Sequence, residues 1–392
     1  MSTQSQRPGG PDLASALARV REVTEANLAR TDRDAAFPVE ALDELRRTGL
    51  LGLLVPVEYG GPGGTVRDLA AAAQSLGRGD MSVGMIFAMH CQQAAAVVRY
   101  ADDRLRKELL PRIAAGEVYL ASVTTEAGKG GHLLTARARL EATPDRLRID
   151  RIAPIVTGGA YADGFLITMR EPGDAADTDV SLVYADRGQL EVTGSGDWDP
   201  MGMRASHSVP LRLAGSVPGH QVVGGHGQFR EIAGNVFGPL AHVGWSAVWL
   251  GTAAGALARV LELLRGPAGR ERFDLGSDLL LTRLSRVRQR LDTVHALLAH
   301  TVEVVESDED LSRPSRQLLL NSLKITASEE CLAAVDGLVE LVGLRHGYLK
   351  DSPTRLELAV RDLRSAALNY SNDRLHLADG RLALLDRGVT FV

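Results

Sequence analysis

The sequence predicts an α+β chain in which a helical unit, a small β-domain and a helical bundle follow one another. Three observations predict it. Apolar residues recur with helical spacing up to about residue 118, the period shortens to two as far as about residue 228, and helical spacing then returns and persists. The units are expected at 12–118, 119–228 and 229–392, after a disordered tail at 1–11.

The tail holds Pro8-Gly9-Gly10-Pro11 and no apolar run, so it does not read as a signal peptide. Leu13, Leu17, Val20 and Val23 stripe a first helix. Pro38 opens a second over 39–53, and the glycine-rich stretch 56–64 is a loop. Helices follow at 66–77, 81–100 and 102–115, the last with a break at Pro111. Short strands are then expected at 119–123, 136–142, 147–155, 164–169, 181–184, 189–193 and 209–213, with an exposed hairpin at 170–178. That spacing suggests a small barrel or sandwich. Segments 245–265, 279–306, 313–342 and 356–385 are long enough for an antiparallel four-helix bundle.

The 392 residues are 45% hydrophobic and 24% charged, ordinary for a soluble globular protein. A net charge of -5 with no basic block argues against a nucleic-acid surface. Cys91 and Cys331 form neither a disulfide framework nor a metal-binding pair, which fits a reducing cytoplasm. Residues 232–258 carry no formal charge and pass the length test for a membrane span. Gly234, Gly238, Pro239 and Gly244 interrupt them, however, and Arg259 and Glu262 follow at once, so a buried core helix without membrane contact is expected. Gly251 and Gly255 are spaced for close helix contact, in soluble bundles as in membranes.

Chemistry concentrates in three segments beside strands: Thr124-Thr125-Glu126, Val156-Thr157-Gly158-Gly159, and Trp198 to Ser206. Glycine lets a flat ligand approach the backbone, and threonine hydroxyls can bond a ring heteroatom. With Gly49-Leu50-Leu51-Gly52, Val55-Pro56, Tyr59-Gly60-Gly61, Arg270-Glu271-Arg272-Phe273 and Arg361-Asp362, this layout resembles the acyl-CoA dehydrogenase superfamily of flavoenzymes over nearly the whole chain. The resemblance implies an acyl-CoA dehydrogenase-like fold, FAD as cofactor and a homotetramer. It matches Thr125 and Thr157 to hydroxyls at the flavin ring. It matches Arg270 and Phe273 to residues reaching the dinucleotide from a neighbouring subunit, and Gly343 to part of a glycine pair there, although the second glycine is Leu344.

The departures concern catalysis. The family's dehydrogenases use a glutamate to take an α-proton, and its two places are Tyr370 and Trp245 here. A tyrosine, with reference pKa near ~10, is a poor base at neutral pH. The loop serine that contacts a thioester is replaced within Gly130-Gly131-His132, the arginine after Trp245 is Ser246, and the tryptophan shielding the flavin is Ile155. The chain therefore resembles the two-component flavin monooxygenase and N-oxygenase branch more. That branch takes reduced flavin, FMN or FAD, from a separate flavin reductase and uses hydrogen-bond donors in a closed pocket. Candidate catalytic groups are His90, Asn369, Tyr370, Asn372 and Asp373, with a small molecule as substrate and Met85, Phe87 and Met89 as apolar lining. Two alternatives stand. One is an α,β-dehydrogenase acting on a CoA or acyl-carrier-protein thioester, with Asp373 as displaced base; the other is a non-catalytic relative.

Overall fold

The computed structural model describes residues 12–128, 132–194, 196–307 and 310–389. The expected tail and Gly130 and Gly131 lie outside them. The chain opens with helices α1 (Leu13–Asp34), α2 (Val39–Arg47), α3 (Val66–Gly79), α4 (Met81–Tyr100) and α5 (Asp103–Ala114). The second is shorter than its pattern, because Gly49 takes φ 74° and turns the chain into a 3-10 segment. The last runs through Pro111 without a break.

Among the described residues eight strands follow: β1 (Leu120–Val123), β2 (Glu141–Ala142), β3 (Arg146–Ala153), β4 (Gly164–Arg170), β5 (Val180–Asp186), β6 (Leu190–Gly194), β7 (Leu211–Pro218) and β8 (Val222–Val223). They form two four-stranded sheets ordered β1-β4-β5-β8 and β2-β3-β7-β6. The strand expected at 136–142 shrinks to its last two residues, because Ala136 instead donates to the Asp177 carbonyl across the β4–β5 hairpin. β4 and β5 are buried on both faces, whereas β3 alternates exposed and buried. β1 runs parallel to β4 and packs against α4.

The remaining helices are α6 (Phe229–Ile232), α7 (Gly238–Arg265), α8 (Pro267–Arg272), α9 (Asp278–Glu306), α10 (Pro314–Gly343), α11 (Leu356–Leu363) and α12 (Asn372–Ala383). α7 is the axis of the bundle, flanked by α3, α4, α9 and α10. Both α4 and the Phe229–Arg265 stretch are long and apolar enough to cross a membrane, and in this fold most of each is packed inside. The pattern over 356–385 is not one helix. Tight turns after Leu363, with the Ser365 hydroxyl on the Asp362 carbonyl, end α11, and Tyr370 sits at φ 52° before α12 begins.

Asp362 ties the bundle to the β-domain. Its Oδ1 accepts from the Met203 N–H at 2.7 Å, and at Gly202 a Cβ would lie 2.1 Å from the Arg361 carbonyl oxygen. Burial, reinforced by Asp80, pushes Asp362 up to about 8. An acid whose pKa is raised on folding gives up stability as pH climbs from its unfolded value to its folded one. The wild type should therefore lose up to about 2 kcal/mol between pH 6.5 and 8. Asp362→Asn, which keeps an acceptor for Met203, should flatten that limb in urea titrations. An unchanged slope would refute the assignment.

Candidate flavin and substrate site

The ends of β1 and β3 bring the two threonine segments together. Thr125 Oγ1 donates to the Ile155 carbonyl at 2.7 Å and accepts the Ile155 N–H at 3.3 Å. The hydroxyls of Thr157, Ser208 and Ser206 form a chain with spacings of 3.0 and 2.9 Å. Beneath this surface Arg151, fully buried, pairs with Glu126 at 2.7 Å and donates to the Thr125 carbonyl at 2.9 Å. Glu126 also accepts the N–H groups of Arg137 and Ala138, each at 2.8 Å. The ion pair thus holds the Thr125 loop from below. Strand alternation flags Arg151: it falls on the inward face with Leu147, Ile149 and Ala153.

A flavin fits this surface. Ile155 is 51% exposed beside the Thr125 hydroxyl, an apolar side chain that a flat ring would cover. The dinucleotide candidates lie elsewhere, at one end of the bundle. Arg270 is exposed on α8, Phe273 rests 6.3 Å from the His346 ring, and Gly343 closes α10 at φ 72° with nothing within 4 Å of a Cβ. No hydrogen bond, ion pair or ring contact among the described residues joins this group to Thr125 or Thr157. An exposed arginine can bond a pyrophosphate bidentately, and Gly343 leaves its backbone open to a close ligand.

The catalytic candidates separate. His90 is fully buried, with Nε2 2.8 Å from the Leu51 carbonyl and Nδ1 3.0 Å from the Leu120 N–H. Nδ1 must accept and Nε2 donate, so the ring is neutral and both nitrogens serve the backbone. Burial pushes its pKa down to about 4, in keeping with that state. This histidine joins α4 to β1 rather than facing the pocket, a role its place in the sequence did not reveal. Met85 and Phe87 are buried in two different core clusters, and Met89 is half-buried.

Around α12 the structure adds a group that sequence reasoning missed. Lys324, buried on α10, donates from Nζ to the Tyr370 carbonyl at 3.1 Å and to Asn372 Oδ1 at 2.7 Å. Asn372 in turn donates to Ser328 Oγ and Glu329 Oε1, both at 3.0 Å. Burial lowers the Lys324 pKa to about 8 and raises that of Tyr370. The helical stripe Leu320, Lys324, Ala327, Cys331 would have exposed this lysine as a cation on an apolar face. Asn369 is half-buried, Tyr370 is 40% exposed and Asp373 points to solvent, so of these four only Asn372 turns inward. Trp245, at the other base position, is half-buried.

Known proteins share this architecture. The amino sugar nitrososynthase DnmZ of Streptomyces peucetius is 25% identical over 94% of this chain and 91% of its own. The mitochondrial isobutyryl-CoA dehydrogenase of Dictyostelium discoideum is 21% identical over 85% and 78%. The structure of TdsC from Paenibacillus sp. A11-2 with FMN and indole superposes with a TM-score of 0.85 at 21% identity, covering 96% of this chain and 98% of that one. Residues 13–117 match the acyl-CoA dehydrogenase N-terminal domain and residues 243–372 the acyl-CoA dehydrogenase C-terminal domain. The chain belongs to the acyl-CoA dehydrogenase family and is a flavin-dependent enzyme of that fold.

Proposed function

We propose that the protein oxygenates a small molecule with reduced flavin supplied by a separate reductase. The observation that carries this is the missing base: both places where the fold's dehydrogenases put a glutamate hold Tyr370 and Trp245, and the nearest acid, Asp373, is exposed. Dehydrogenation of a thioester requires a carboxylate aimed at the α-carbon, whereas oxygenation requires a dry pocket and donors. Bound reduced flavin would supply the electrons and the reaction with dioxygen. Thr125 and Thr157 would hold its ring, Trp245 would wall the pocket from water, and Asn369 and Tyr370 would donate to the reacting oxygen. The similarity to a nitrososynthase and to TdsC supports this assignment.

The cofactor is read as FAD, because Arg270, Phe273 and Gly343 suit a dinucleotide; FMN would leave them idle. Since they lie apart from the threonines, a partner subunit would supply them, in a homotetramer. Leu279, Leu344 and Tyr348, each more than 60% exposed near that end of the bundle, fit such an interface.

Stopped-flow mixing of reduced flavin and protein with oxygenated buffer tests the assignment. Re-oxidation should be slowed at least tenfold, through an absorbance band that free flavin lacks. Re-oxidation at the free-flavin rate, together with anaerobic bleaching of bound FAD by an acyl thioester, would replace oxygenation with dehydrogenation. Failure to bind flavin in either redox state would make the chain a non-catalytic relative.

A further inference from the structure

The core between α7 and α10 holds more hydrogen-bond donors than it uses. Ser246 and Trp249 are fully buried and Trp245 is half-buried, yet the Ser246 hydroxyl and both indole N–H groups have no partner. Spacings of three and four residues place Ser246 and Trp249 on one face of α7 with His242, and Trp245 beside them. The Trp245 ring lies 6.3 Å from that of Trp249 and 6.4 Å from that of His242.

Across from this face, Lys324 Nζ is 5.7 Å from the centre of the Trp249 ring. Its two hydrogen-bond acceptors are neutral, the Tyr370 carbonyl and the Asn372 side chain, and among the described residues no carboxylate forms an ion pair with it. The nearest acid, Glu329, accepts from Asn372 and acts on Lys324 only across that side chain. His242 adds no charge, since its Nδ1–H donates to the Leu320 carbonyl at 3.1 Å and burial holds the ring neutral. The cluster therefore combines an ammonium with no carboxylate in direct contact, Glu329 acting on it only from behind Asn372, with three idle donors.

Native interiors rarely leave buried donors unpaired, and a cation there without a counter-charge is more costly still. An anionic oxygen would relieve both. We propose that this cluster anchors the substrate, and that the substrate class is one bearing an acidic oxygen, a carboxylate or the anion of a phenol or enol. Lys324 supplies the charge, while Ser246, Trp245 and Trp249 supply hydrogen bonds. Calling this ligand the substrate rests on the oxygenase assignment above; the binding preference does not. A protonated amine would bring a second cation against Lys324, and is disfavoured.

The test titrates benzoate, benzamide and benzylamine into the full-length protein at pH 7, with and without oxidised FAD. Calorimetry and tryptophan fluorescence both read the site, which holds two of the three tryptophans. Benzoate should bind at least tenfold more tightly than benzamide, with benzylamine weakest. Lys324→Met should erase the preference and Lys324→Arg should retain part of it. Ser246→Ala and Trp249→Phe give the sharper signature. Ser246→Ala removes a hydroxyl that pairs with nothing, so that variant should be as stable as wild type or more so; Trp249→Phe also loses buried ring contacts and should cost stability. In both, benzoate should bind several-fold more weakly. Equal or reversed preference overturns the proposal, as does absence of binding by all three probes, or a preference that survives Ser246→Ala, Trp249→Phe and Lys324→Met. No reductant or oxygen is involved, so failure here is distinguishable from failure of the oxygenase assignment.

Discussion

Arg151→Met is expected to lower stability by about 3–5 kcal/mol and to abolish flavin retention, the cost expected when one member of a buried ion pair is removed. Arg151 has no solvent exposure, and its side chain connects Glu126 to the Thr125 carbonyl. Without it the Glu126 carboxylate, 10% exposed, keeps only the N–H groups of Arg137 and Ala138. Two effects follow from one cause: a charge is left buried, and the loop that presents Thr125 loses its support. Urea unfolding and flavin retention on a desalting column measure them separately. A double variant, Arg151→Met with Glu126→Met, should recover much of the stability, because an apolar pair can replace a buried ionic one. It should not recover flavin binding. Loss of stability below 1 kcal/mol would show that the pair is not the loop's support.

Gly251→Leu should be at least as damaging. A Cβ at Gly251 would lie 2.1 Å from the Gln74 carbonyl oxygen, and reciprocally a Cβ at Gly77 would lie 2.4 Å from that of Val248. The two helices meet backbone to backbone, stitched by the Thr252 hydroxyl on the Gly77 carbonyl at 3.0 Å. A leucine would force α3 and α7 apart along their whole contact, at a cost of about 3 kcal/mol or more. Gly380→Ala is the control. It also lies in a helix, nothing lies within 4 Å of its Cβ, and the added methyl should stabilise by about 0.5–1 kcal/mol. Thermal melts of the two variants should move in opposite directions.

Much of the fold was legible because period and burial coincide. The runs that become β4, β5, α4 and α7 are apolar enough for any packing to bury them. Failures came where a local device outweighed the pattern: the left-handed Gly49 cut α2 short, and the turns around Ser365 and Tyr370 split the last helix. The site divides in the same way. Thr125 and Thr157 stand in turn-bounded segments whose hydroxyls a sequence can advertise. Arg151 and Lys324 were missed, although each is a charge on a face that is otherwise apolar and could have been flagged. The idle donors of Ser246 and Trp249 could not have been, because whether a donor is paired depends on what the fold brings opposite it. His90 shows the limit most plainly: the resemblance placed it with the catalytic groups, and only the positions of Leu51 and Leu120 show its ring engaged with backbone on both sides.

That histidine also determines how forces pass through the molecule. Its ring is a rigid link two hydrogen bonds long, carried by α4 and held between the 3-10 segment at Leu51 and the first strand at Leu120, and Thr125 stands two residues beyond the end of that strand. Displacing the loop pulls on the strand, and the strand pulls on α4. The Thr125 segment and α4 are therefore expected to move together.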